Sequence, residues 1–271
     1  MKTEDLAKRV FGNRAALYAT GATHTDPRVL QRVVELSAPQ AHWSALDIAT
    51  GTGHTALALA PHVASVIGID LTPRMLAEAE RLRVERGATN VTFQTGDVHR
   101  LAFPDASFDL ITCRLAAHHF SDIRWALGEM RRVLGREGRL VIDDRSVPED
   151  DFVDGCMNAL DRLHDESHVR QYRPSEWRSM LAEAGFTVHL VEPYVRHRPL
   201  TALTDGVSPE DVARIQAMLA SLDEAQRAAL NLAEVAGQPY LNHWYVLIVA
   251  TRAAEPPAGG PPDRSPLARF G

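Results

Sequence analysis

Two glycines, two carboxylates and a pair of histidines mark where this chain could do chemistry. Gly51 and Gly53 lie in Asp47-Ile48-Ala49-Thr50-Gly51-Thr52-Gly53-His54-Thr55-Ala56, directly after an apolar run at 45–48. Glycines let the backbone turn tightly and approach a ligand without side-chain clash. Asp70 follows the next apolar run, 65–69, where a carboxylate can accept both hydroxyls of a ribose. His118 and His119 come after a further run, 108–113, and Asp144 follows another, 139–143. Histidine titrates near neutral pH, which suits removal of a proton from a hydroxyl or an activated carbon.

The glycine loop admits two cofactor readings. Gly51, Gly53, Ala56 and Asp70 satisfy the dinucleotide fingerprint, which would make the chain an NAD-dependent oxidoreductase. Asp47 points elsewhere. An acid four residues before the first glycine suits the amino group of a cofactor's methionine part. Beside a pyrophosphate it would be badly placed, because two negative charges would meet.

These residues need elements to hold them. Strands are expected at 45–48, 65–69, 91–95, 108–113 and 139–143. Helices are expected at 54–60 and from Pro73 to about Arg86, with Thr72 as N-cap and Gly87 as the stop. Ile123, Ala126, Leu127, Met130, Val133 and Leu134 recur at helical spacing, and Gly135 and Gly138 frame the turn that follows. This alternation predicts an α/β fold. It is Rossmann-like, with a seven-stranded, mostly parallel sheet, helices on both faces and an antiparallel last strand. Further helices are expected at 151–164 and 174–184, and strands at 186–191 and 243–251. Between those strands, Ser208-Pro209-Glu210-Asp211 opens a helical insertion placed at about 204–236. The expected organisation is a helical cap at 1–40, a main domain at 41–252 and a disordered tail at 253–271, which is rich in proline and glycine.

Composition narrows the partners. The chain has 271 residues, 45% apolar and 24% charged, and a formal net charge of -6. An acidic chain is a poor fit for nucleic acid, whose phosphates need a basic surface. No stretch approaches the ~18 apolar residues that span a bilayer, and the first ten residues lack the apolar core of a signal peptide. A cytoplasmic protein is expected, and a homodimer is compatible with all of this. Cys113 and Cys156 are the only cysteines and form no CxxC, so no zinc or disulfide framework is expected. Asp143-Asp144 has no acid–asparagine partner, so no metal site is expected either.

Several blocks in order resemble one family. Asp47-x-Ala49-x-Gly51-x-Gly53 resembles the first motif of class I methyltransferases, with Ala49 in place of the first of three glycines. Gly96-Asp97-Val98 leading to Phe108-Asp109, then Ala116-Ala117-His118-His119-Phe120, then Glu129-Met130-Arg131-Arg132-Val133-Leu134 before Gly138-Arg139-Leu140, resemble its later blocks. The pattern is that of the ubiquinone/menaquinone C-methyltransferase-like group (the type 11 methyltransferase domain), from about Ser44 to Asp144. The stretches at 11–18 and 165–170 resemble a bacterial subgroup of it.

The resemblance implies S-adenosyl-L-methionine as cofactor and a small-molecule acceptor, with an aromatic or quinol-like ring as the family-level expectation. It implies that Asp47, Ala49, Gly51 and Gly53 hold the methionine moiety. Asp70 would take the ribose, Leu71 and Val98 the adenine ring, and Asp97 the adenine amino group. Arg114 would line the cofactor's open side and Tyr18 close over it. His118, His119 and Asp144 stand as candidate bases at the acceptor rim. His168, Arg170, Tyr172, His243 and Trp244 are candidates for the acceptor pocket wall. A cofactor-binding protein on this fold that does not methylate remains an alternative.

Overall fold

The computed structural model describes residues 3–254. Of the expected tail, residues 255–271 lie outside the described residues. The chain opens with three helices, α1 (Thr3–Thr20), α2 (Ala22–Thr25) and α3 (Pro27–Ser37).

The alternation then produces β1 (Ser44–Ile48), α4 (His54–Leu59), β2 (Ser65–Asp70), α5 (Pro73–Glu85), β3 (Val91–Thr95), β4 (Phe108–Arg114), α6 (Ile123–Val133) and β5 (Leu134–Ser146). The central strands β1, β2 and β4 are short and mostly apolar because helices cover both sheet faces. On α6, Ile123, Ala126, Leu127, Met130 and Val133 are all buried, which is the stripe that their spacing specifies. After β5 come α7 (Asp151–His164), α8 (Pro174–Glu183), β6 (Phe186–Pro199), α9 (Thr201–Thr204), α10 (Pro209–Ala220), α11 (Glu224–Ala229), β7 (Ala233–Val235) and β8 (Gln238–Arg252).

The sheet runs β3-β2-β1-β4-β5-β8-β6, with β7 pairing β8 off this path. Strands β1 to β5 pair in parallel, and β8 is antiparallel to both neighbours. The expected antiparallel last strand is therefore present, inserted between β5 and β6. Strand order reverses between β1 and β4, and the loops leaving those two strands open a crevice at their carboxyl ends.

Three details differ from expectation. The turn at Gly135 and Gly138 is a bulge inside β5: Phe108 pairs Leu134, and Leu110 then pairs Arg139. A Cβ on Gly138 would lie 2.6 Å from Leu134 Cδ1, so the chain can fold back there only without one. Thr72 is the N-cap of α5 as expected, but its side chain makes no cap hydrogen bond, and its N–H donates to Asp70 Oδ1 at 2.8 Å. The insertion is helical only to Ala229 and ends in the β7–β8 hairpin, turning through Ala236 and Gly237 at φ 49° and 77°.

One local strain sits beside the crevice. Ala49, at the place of the missing glycine, has φ 51°. A left-handed alanine costs about 1–2 kcal/mol, and glycine returns part of that as lost chain entropy. Ala49→Gly is therefore expected to raise stability by about 0.5–1 kcal/mol, read as a shift in the urea midpoint at constant slope.

Candidate active site

The crevice holds two adjoining cavities. The first is built on the loop between β1 and α4. Asp47, at the end of β1, is 1% exposed. Its Oδ2 accepts the Thr50 hydroxyl at 2.6 Å and its Oδ1 the Thr112 hydroxyl at 2.7 Å. Burial pushes its carboxyl up to about 6, against the hydroxyl hydrogen bonds that pull it down. Asp70, at the end of β2, accepts the backbone N–H of Gly51 at 2.9 Å and of Thr72 at 2.8 Å. Burial also raises its carboxyl. Both acids line the cavity.

The glycines divide the work. Gly51 (φ 54°) lines the cavity, and a Cβ there would meet nothing within 4 Å. Gly53 (φ 82°) packs beneath the loop, where a Cβ would stand 2.6 Å from the Phe93 ring. Its part is the turn itself, and it does not line the cavity. Ala49, Leu71, Val98, Arg114 and Tyr18 line it, joined by Phe11, His99 and Phe120. Asp97 is not among the lining residues. Its Oδ1 accepts the His99 backbone N–H and faces His99 Nδ1, both at 2.9 Å. Arg114 Nε donates to Thr55 Oγ1 (3.0 Å) and its Nη2 to the His24 carbonyl (2.7 Å). It thereby ties β4 to α4 and to the N-terminal cap.

The second cavity measures about 730 Å³, room for a small organic molecule. Tyr18, His24, Leu115 and His119 line both cavities and form their common wall. Leu115 is held there at φ 52°, a strained backbone of the kind found where sites are fixed in place. Burial pushes the Tyr18 phenol up to about 12 and the His24 imidazole down to about 3, so both are neutral at physiological pH.

His118 lines the second cavity only. Asp144 departs from its expected place at the rim. It is fully buried on β5, because alternation turns its side chain under the loop after β4. There its Oδ1 lies 2.5 Å from His118 Nδ1, and it accepts the backbone N–H of His118 (3.1 Å) and of Arg145 (2.7 Å). Asp144 therefore orients a histidine and lines neither cavity. Burial holds the imidazole well below its usual range and pushes the carboxyl up to about 6. His118 Nε2 has no hydrogen-bond partner among the described residues. His119 Nδ1 faces the Ser167 carbonyl at 3.1 Å, and its ring meets Phe11 edge-on at 4.9 Å.

Of the other expected wall residues, only His168 lines the second cavity. Arg170 is engaged by Asp154 and Glu176, and Tyr172 packs on Trp177. His243 is buried behind Arg145, and Trp244 packs against the core beneath the insertion. Sequence reasoning missed His24, Leu115, Arg145 and Arg198. Arg145 adjoins Asp144 on β5, so alternation could have placed it on the opposite face. Arg198 lies beyond the expected end of its strand.

Among the described residues, no helix is long and apolar enough to cross a membrane.

Known proteins share this arrangement. Residues 46–142 match the family described as "Methyltransferase domain". The uncharacterized methyltransferase YcgJ of Bacillus subtilis (strain 168) is 43% identical over 172 residues, 64% of this chain and 68% of that protein. A demethylmenaquinone methyltransferase of Thermus thermophilus is 43% identical over 183 residues, covering 60% of this chain and 83% of that one. The crystal structure of the Bacillus YcgJ protein superposes with a TM-score of 0.79 at 34% identity, across 84% of this chain and 99% of the other. None of these supports the nicotinamide reading. The glycine loop, its two acids and these relatives agree: the chain belongs to the class I S-adenosylmethionine-dependent methyltransferases, in the ubiquinone/menaquinone C-methyltransferase-like group, and S-adenosylmethionine is its cofactor.

Proposed function

We propose that the chain methylates a small molecule held in the second cavity, at an atom that gives its proton to His118. One observation carries this: the two cavities share the wall of Tyr18, His24, Leu115 and His119, and His118 stands on the acceptor side. When bound, the sulfonium of the cofactor supplies an electrophilic methyl group.

The residues fit that cofactor. Asp47 offers a buried carboxylate to the methionine ammonium, and an arriving cation favours its charged form. Gly51 leaves open space over the loop. Asp70, which lines the cavity, takes the ribose hydroxyls, and Leu71 and Val98 cover the adenine. Asp97 does not line the cavity but lies between the lining residues Gly96 and Val98, with Oδ2 unengaged for an adenine amino group at the rim. Arg114 keeps Nη1 for the methionine carboxylate.

On the acceptor side, Asp144 takes the His118 Nδ1–H and so leaves Nε2 as the proton acceptor. Neutral Tyr18 and His24, together with His119, close the wall and exclude water, while the loop aligns the acceptor for in-line displacement. The Thermus relative's name points to a quinol-like ring, whose hydroxyl would need such a base.

Calorimetry with S-adenosylhomocysteine tests the cofactor half. The unsubstituted protein binds it, and Asp70→Ala weakens binding by about 1–3 kcal/mol, the range for losing a charged hydrogen-bond partner. No binding at ~1 mM, the weak end of specific association, would sink the reading. An unchanged affinity in Asp70→Ala would remove Asp70 from the ribose.

A further inference from the structure

We infer that the acceptor carries a carboxylate, held by Arg145 and Arg198 in the second cavity. The inference rests on the methyltransferase reading and names the acceptor's class. Both arginines line the second cavity, and neither lines the first.

Arg145 leaves β5 as a buried cation. Its Nη2 donates to both oxygens of Asp161, at 2.9 and 2.7 Å, and lies 3.2 Å from His243 Nδ1. Its Nε is buried without a partner, and its Nη1 makes no hydrogen bond among the described residues. A guanidinium that is half answered in this way is costly unless something else completes it. Arg198 reaches the same cavity from β6. Its Nη1 meets the Tyr245 hydroxyl at 3.3 Å, and it makes no ion pair among the described residues. Tyr245 pairs Arg145 across β5–β8, so one hydroxyl-bearing ring lies between the two arginines.

Three of the four acids that line the cavity are already engaged, and the fourth, Asp205, makes no ion pair with either arginine among the described residues. Asp161 is engaged by Arg145. Asp165 accepts the Ser167 N–H and hydroxyl at 2.8 and 2.6 Å and faces Arg14 at 3.8 Å. Glu166 is paired with Arg9. The planar fork of a guanidinium fits a carboxylate better than any neutral oxygen. A neutral quinol would leave these donors largely unanswered.

The full-length protein, saturated with S-adenosylhomocysteine, is titrated with 2-hydroxybenzoate and 4-hydroxyphenylacetate, and with the primary amide of each. Saturable binding is expected for at least one acid, at least about tenfold tighter than for its amide. Arg198→Ala should remove at least about tenfold of that acid affinity, leave the amide and S-adenosylhomocysteine affinities unchanged, and be partly rescued by Arg198→Lys. Equal binding of acids and amides, binding of neither acid, or full acid affinity in Arg198→Ala would overturn the inference. The acid–amide comparison needs no variant, so it stands even where Arg198→Ala folds poorly. Absence of S-adenosylhomocysteine binding to the unsubstituted protein would instead overturn the methyltransferase reading, and this inference with it.

Discussion

His118→Ala is expected to lower kcat by about 10²–10⁴, the usual contribution of a placed general base, without changing S-adenosylhomocysteine affinity. His118 lines only the acceptor cavity, so the cofactor should not sense its loss. Asp144→Asn should lower kcat by a similar order, because a neutral partner no longer fixes the tautomer or stabilises the imidazolium that forms. The pH profile separates this from a merely structural role. Burial holds the His118 imidazole neutral and lifts the Asp144 carboxyl to about 6. Adding a proton to the pair blocks Nε2 or breaks the Nδ1 hydrogen bond. The rate should therefore fall as pH drops through about 6, and that limb should vanish from the residual activity of His118→Ala. Unchanged kcat in His118→Ala would remove this residue from the chemistry.

Gly53→Ala should be the most damaging conservative change in the glycine loop. At φ 82° an alanine is in left-handed backbone, worth about 1–2 kcal/mol. Its Cβ would also stand 2.6 Å from Phe93 Cζ and 3.1 Å from Ala79 Cβ, which adds about 1–3 kcal/mol of overpacking. A loss of about 2–4 kcal/mol is expected in denaturant unfolding, with weaker cofactor binding because the loop itself is displaced. Gly51→Ala differs: the strain is similar, yet its Cβ points into open space, so cofactor affinity should fall more than stability. Equal stability losses at both positions would contradict this division.

The cofactor loop was legible because its information is local. Asp47, Gly51, Gly53 and Asp70 lie within two strand–turn units, and their register follows from apolar periodicity. The acceptor side was only half legible. His118 and His119 announce themselves, but the burial of Asp144 depends on which way β5 faces, and that is decided by pairing with β4 and β8. Arg198 was hidden for another reason. Glu192, Pro193 and the alternating Tyr194-Val195-Arg196-His197-Arg198 look like a strand's end, yet β6 continues to Pro199. Pro193 is tolerated because β6 is an edge strand, paired with β8 alone. The hairpin at Ala236-Gly237 was overlooked because helical periodicity in the insertion fades gradually, and a single glycine was the only turn signal.

A crystal structure of the protein with S-adenosylhomocysteine tests the central claim most directly. The expected result has the ribose hydroxyls on Asp70, the amino group at Asp47, and the sulfur facing the wall of Tyr18, His24, Leu115 and His119, with His118 Nε2 beyond it. A ligand seated in the second cavity, or one whose sulfur points away from that wall, would contradict it.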